Sequence, residues 1–179
     1  FGPELGMGEK LNELYKNETV FIVKYAWGGS NLHTQWNPNR GDLYEAFIEF
    51  VKTSLEYLIS KNYEPDIIAM TWMQGESDST LEYAKIYENN LMSLIRSTRN
   101  DLSNYIKNKM YFVDAYISDS EYWTYYYLVN AAKQNICNMD PYSLCIDTIK
   151  EGLTYKREPF NNIDLAHYDS LGEIKLGHL

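Results

Sequence analysis

The sequence predicts an α/β protein with a mainly parallel sheet covered by helices on both faces. Short apolar runs recur along the chain: TVFIVKYA from Thr19, IIAMTW from Ile67, MYFVDAYI from Met110 and SLCIDT from Ser143. Longer segments with apolar residues at helical spacing lie between them. Strands that alternate with helices need crossover connections, and crossovers give parallel sheets. No internal repeat, low-complexity linker or long charge run divides residues 1–179, which read as one domain.

The elements follow in order. Residues 3–16 form a helix with Leu5, Leu11, Leu14 and Tyr15 on one face. Residues 19–26 form the first strand. Residues 42–61 form a strongly amphipathic helix with Asp42 as its N-cap. Pro65 and Asp66 introduce the IIAMTW strand. A second long helix covers 79–99, with Asp78 or Ser79 as cap, and MYFVDAYI is the third strand. Residues 120–136 are helical, SLCIDT is a short fourth strand, and a last helix begins near Ser170.

Composition narrows the function. The chain is 45% hydrophobic and 23% charged, which excludes a disordered chain. A net charge of −9 and a pI near 4.8 argue against a nucleic-acid partner. No run approaches the roughly 18 apolar residues of a membrane helix, so no membrane partner is expected. The opening FGPELGMGEK has no leader features and no start methionine, as expected of a mature, cropped or processed product. For Cys137 and Cys145 a disulfide and two free thiols fit equally, and Asn17-Glu18-Thr19 matches a glycosylation acceptor pattern that also arises by chance. The compartment stays open.

Parallel sheets bind ligands at the carboxyl ends of their strands, so the segments that follow strands carry the chemistry. In NIDLAHYDSLG, Asp164 and His167 are three apart. On a helical turn that spacing sets a carboxylate against the imidazole, half of an acyl-transfer triad. A capped helix start with an incidental histidine reads equally well. A metal site of Asp164, His167 and Asp169 lacks support from His33 or His178. In TWMQGESD, Gln74 can donate to an oxyanion and Gly75 permits a close turn, with Glu76 beside them. The competing reading is a solvated loop that caps the next helix. Ser77 lacks the second glycine of a nucleophile elbow. In WGGSNL, Gly28 and Gly29 can aim a backbone N–H at a ligand, and Ser30 and Asn31 line the same place. Ser30 as nucleophile, or a plain glycine turn capped by Ser30 or Asn31, are the alternatives.

Taken together, FGPELGMG, KYAWGGSNL with Trp36 and Pro38, WMQGESD and DLAHYDSLGEIKLG resemble the carbohydrate esterases that include sialate O-acetylesterases and family 6 acetylxylan esterases, within the SGNH hydrolases. The motifs occur in the family's order and span almost the whole chain. The resemblance implies a three-layer flavodoxin-like fold. It implies removal of acetyl groups from sugars by a serine nucleophile, with no metal and no cofactor. By this resemblance His167 is the general base, Asp164 orients it, Gln74 is the side-chain oxyanion donor, and Gly28 or Gly29 is the backbone donor.

The family's nucleophile sits in a GQSN-type block ahead of the GPE stretch, and no GQSN occurs here. WGGSNL matches the family's second block, so Ser30 is expected to line the site rather than attack. The chain is then expected to be part of a larger protein whose N-terminal segment supplies the serine, and to be a poor catalyst alone. The partner of such a protein is an acetylated carbohydrate, for which Trp36, Trp72 and Tyr168 are candidate stacking platforms or core packing. A non-catalytic carbohydrate-binding relative is the competing reading, and a metal-dependent hydrolase a third. The sequence upstream of Phe1 discriminates the first two.

Overall fold

The structure, a computed structural model, describes residues 2–155, 158 and 164–179. Phe1, and Asn162 and Ile163 of the last motif, lie outside the described residues. The helices are α1 (Glu4–Leu14), α2 (Asp42–Ser60), α3 (Leu81–Ala84), α4 (Tyr87–Asp101), α5 (Tyr126–Met139) and α6 (Ser170–His178). The strands are β1 (Ala69–Trp72), β2 (Tyr111–Ala115) and β3 (Ser143–Ile146). They form a parallel sheet in the order β1-β2-β3, with Trp72 opposite Asp114 and Asp114 opposite Cys145. This is the expected α/β architecture with a parallel sheet. Among the described residues no helix is long and apolar enough to cross a membrane.

The chain forms two compact units. One comprises Tyr25–Ile117 and Trp123–Ile146 and holds the sheet. Its core arises from helical periodicity meeting strand alternation. Leu91, Leu94 and Ile95 of α4, Val129 and Ile136 of α5, and Phe112 of β2 are buried together. Each such side chain gains about 1.5–3 kcal/mol from leaving water. Both crossovers advance one strand in the same direction, and right-handed crossovers then set α4 and α5 on one face, where they pack together. Arg99 fastens α4 to the strand entrances. It donates to Asp140 at 2.6 Å and to the carbonyls of Met110 and Tyr142.

The other unit comprises Phe1–Lys24, Ser118–Tyr122 and Asp147–Leu179. Here α1 packs on α6, and glycines permit the approach. A Cβ on Gly6 would lie 2.1 Å from the Ile174 carbonyl oxygen, and one on Gly177 would lie 2.1 Å from that of Pro3. Gly6 of GPELGMG and Gly177 of EIKLG are therefore a helix-crossing device. Asp169 caps α6, accepting from the Gly172 amide at 2.8 Å and from the Thr154 hydroxyl.

Four expectations need correction. Residues 19–26 form no strand, and Val20, Phe21, Ile22 and Val23 are exposed. An apolar run becomes a strand only where another backbone pairs with it, and no such pairing forms among the described residues. The helix expected over 79–99 is two helices, α3 and α4, broken at Lys85 and Ile86. Its cap is Thr80, whose hydroxyl accepts from the Tyr83 amide, and not Asp78 or Ser79. Gly41, not Asp42, is the N-cap of α2.

Candidate active site

The segment after residues 19–26 makes a turn at Gly28 and Gly29. Gly29 has φ +68°, and no atom of the described residues lies within 4 Å of a Cβ placed on either glycine. The backbone there is open to a ligand. Trp27 beside them is 62% exposed. Ser30 is not open. It is buried, its Oγ donates to the Trp27 carbonyl at 2.7 Å, and it accepts from Trp36 Nε1 at 2.7 Å. Asn31 is tied to Gln35 and Thr34. Trp36 packs edge-on against Trp72 with ring centroids 5.2 Å apart, so both indoles serve the core.

Gln74 follows β1 and is buried. Its Nε2 donates to the Ser30 carbonyl at 3.1 Å and to Asp78 Oδ2 at 2.6 Å. Tyr87 Oη lies 2.9 Å from the Gln74 carbonyl oxygen and 3.2 Å from its Oε1, and shares one proton between them. Gly75 has φ +143°, and a Cβ there would meet Val129 Cγ1 at 2.6 Å. Only glycine lets the chain turn here against α5. Glu76 opens the short helical turn Glu76–Asp78 and is half-buried.

Asp78 is fully buried. Besides Gln74, its Oδ2 accepts from the Leu32 amide at 2.8 Å and its Oδ1 from the His33 amide at 3.2 Å. Burial raises its carboxyl above the usual range, and these hydrogen bonds oppose the rise. One carboxylate therefore joins the WGGSNL and WMQGESD segments. Sequence reasoning assigned Asp78 to a cap. Nothing in the local sequence separates this role from a cap, because a helix does follow at Leu81–Ala84.

Deeper in the same unit, Lys133 Nζ donates to Asp114 Oδ1 and to the Ala115 carbonyl, each at 2.7 Å. Both side chains are buried, and Asp114 Oδ2 has no hydrogen-bond partner among the described residues. Burial pushes the Asp114 carboxyl up to about 6 against the pull of Lys133. Lys133 Nζ lies 5.9 Å from the centre of the Tyr87 ring. This ion pair was also missed, although an acid inside MYFVDAYI is the kind of buried charge that demands a partner.

Asp164 and His167 lie in the other unit. His167 Nδ1 is 2.7 Å from Asp164 Oδ2. Asp164 Oδ1 accepts from the amides of Ala166 and His167 at 2.7 and 3.2 Å. The bond from His167, then that from Ala166, holds the Asp164 carboxyl below its usual range. The imidazole is 81% exposed. The spacing of three acts through a bend at 165–167, not through a helical turn. Tyr168 is half-buried and its hydroxyl donates to Thr148. The structure thus gathers Gly28, Gly29, Ser30, Gln74 and Asp78 in one unit and the acid–imidazole pair in the other.

Comparison with known proteins agrees with the motifs. A family model described as "carbohydrate esterase, sialic acid-specific acetylesterase" matches residues 1–179. No curated protein matches the chain. Among solved structures, the X-ray structure of a protein from Arabidopsis thaliana superposes with a TM-score of 0.77 at 23% identity, over 99% of this chain and 66% of that one. It shares the fold, and this chain spans less than two thirds of its length. The full-length family match shows that the chain belongs to the sialic acid-specific acetylesterase family of carbohydrate esterases.

Proposed function

We propose that the chain carries the general base and oxyanion donors of a carbohydrate O-acetylesterase that works through an acyl-serine. The observation that carries this reading is the Asp164–His167 pair. A carboxylate 2.7 Å from Nδ1 fixes the tautomer and leaves Nε2 as the proton acceptor. The exposed ring is available to a nucleophile and to a bulky sugar ester. The nucleophile is a serine outside these 179 residues, in an N-terminal segment of the same protein. Ser30 is unsuited, because its buried hydroxyl already donates to the Trp27 carbonyl and accepts from Trp36 Nε1.

The serine Oγ attacks the acetyl carbonyl carbon as its proton moves to His167 Nε2. The carbonyl oxygen becomes an oxyanion held by the N–H of Gly28 or Gly29 and by Gln74 Nε2. Both Nε2 hydrogens are engaged in the resting site, so the oxyanion replaces the longer contact, the Ser30 carbonyl at 3.1 Å. Collapse breaks the bond to the sugar oxygen, which takes the proton from Nε2. Water activated by His167 then cleaves the acetyl-serine and releases acetate. Trp27, exposed next to Gly28, is available to stack on a sugar face. The acidic chain suits a neutral or weakly charged sugar ester, and acetylxylan and sialic acid types both remain open to it.

The test is hydrolysis of acetylated sugars by the complete protein and its His167→Ala variant. The reading expects turnover in the first and none in the second, with equal thermal stability. Full activity in the variant overturns it.

A further inference from the structure

We propose that Asp78 is the positioning residue of the oxyanion site, fixing which end of the Gln74 amide faces the substrate; the inference rests on the esterase reading above. A glutamine amide has a donor end and an acceptor end of nearly equal size. The two orientations differ only by the groups around them, and the wrong one would present Oε1 to a developing negative charge. In the resting site the Ser30 carbonyl at 3.1 Å also selects the Nε2 end. Once the oxyanion replaces that contact, Asp78 is the acceptor that decides the matter. Its ionised carboxylate is acceptor-only, and at 2.6 Å it demands the Nε2 end of Gln74. Tyr87 Oη, 3.2 Å from Oε1, supplies the matching donor on the other side.

The same carboxylate holds the opposite wall. It accepts from the Leu32 and His33 amides, just beyond the Gly28–Gly29 turn that carries the backbone donor. Three donors from two distant segments converge on one buried group. No amide can accept all three, because one of its ends is itself a donor. Asp78 therefore sets the orientation of the side-chain donor and the distance between the two oxyanion donors. It touches neither substrate nor nucleophile, so its effect belongs to kcat and passes through Gln74.

The experiment uses the complete protein, its Asp78→Asn and Gln74→Ala variants and the double variant, with an acetylated sugar as substrate. An oxyanion donor removed from an acyl-transfer site costs on the order of 10²–10³-fold in kcat. Asp78→Asn is expected to lower kcat by about 100-fold with KM within about twofold, and to cost nothing further in a Gln74→Ala background. An unchanged kcat, or losses that add in the double variant, overturns the positioning role while leaving the esterase reading intact. Wild-type protein that hydrolyses no acetylated sugar overturns the esterase reading and this role with it. If Asp78→Asn does not fold, proton exchange at Gln74 Nε2 in the wild type, followed by NMR, decides. Slow exchange supports the anchor, and exchange at the rate of a free amide overturns it.

Discussion

His167 Nδ1 lies 2.7 Å from Asp164 Oδ2, within a bend whose own amides also bind that carboxylate. The acid is thus oriented by the backbone and in turn orients the imidazole. Asp164→Asn can offer its amide to Nδ1 and favour the wrong tautomer. Such a change costs about 10⁴-fold in kcat in serine hydrolases. The same loss is expected here, measured as initial rates on an acetylated sugar. The pair is on the surface, so the melting temperature should barely move, with a change within about 0.5 kcal/mol.

Ser30→Ala separates packing from catalysis. The variant leaves Trp36 Nε1 buried without its acceptor. An orphaned buried donor costs about 1–3 kcal/mol. A lower denaturation midpoint is expected, with kcat retained within a few-fold. Loss of all turnover in a folded variant would make Ser30 the nucleophile.

Gly75→Ala should be among the most damaging small changes. The residue has φ +143°, and the added methyl would meet Val129 at 2.6 Å. Backbone strain and overpacking together amount to about 2–4 kcal/mol. Urea unfolding measures it, and a neutral result would contradict the close approach of this turn to α5.

The Asp114–Lys133 pair gives a pH dependence of known sign. The Asp114 carboxyl is raised from its ordinary 3.8 to about 6, by burial first, with Lys133 opposing and Glu76 adding to the rise. Between those values the folded protein keeps a proton that the unfolded chain has released. Stability from this group is therefore present at low pH and lost as pH rises through the window. Asp114→Asn lacks this titration. The wild type should lose stability relative to the variant between about pH 4 and pH 6, and the difference should be flat near pH 7. A wild-type advantage that grows across that window would contradict the raised value.

Local pattern made much of this fold legible. Helical spacing marked α2 and α4, and the apolar runs marked β1, β2 and β3, because burial against neighbours is written into which residues are apolar. The run TVFIVKYA carries the same signal and forms no strand, since pairing depends on a second backbone that composition does not reveal. The proposed site divides the same way. Asp164, His167, Gln74 and the two glycines stand in short motifs and could be named from them. Asp78, Tyr87 and the Asp114–Lys133 pair could not. Leu32 lies 46 residues from Asp78, Gln74 lies 13 from Tyr87 and Lys133 lies 19 from Asp114, and only the fold brings these pairs together.

The central claim is that these residues serve a serine outside the chain. Labelling the complete protein with a fluorophosphonate and mapping the adduct by mass tests it most directly. The account predicts a single adduct on a serine in a segment beyond residues 1–179, lost in His167→Ala. An adduct on Ser30, or labelling that persists without His167, would contradict it.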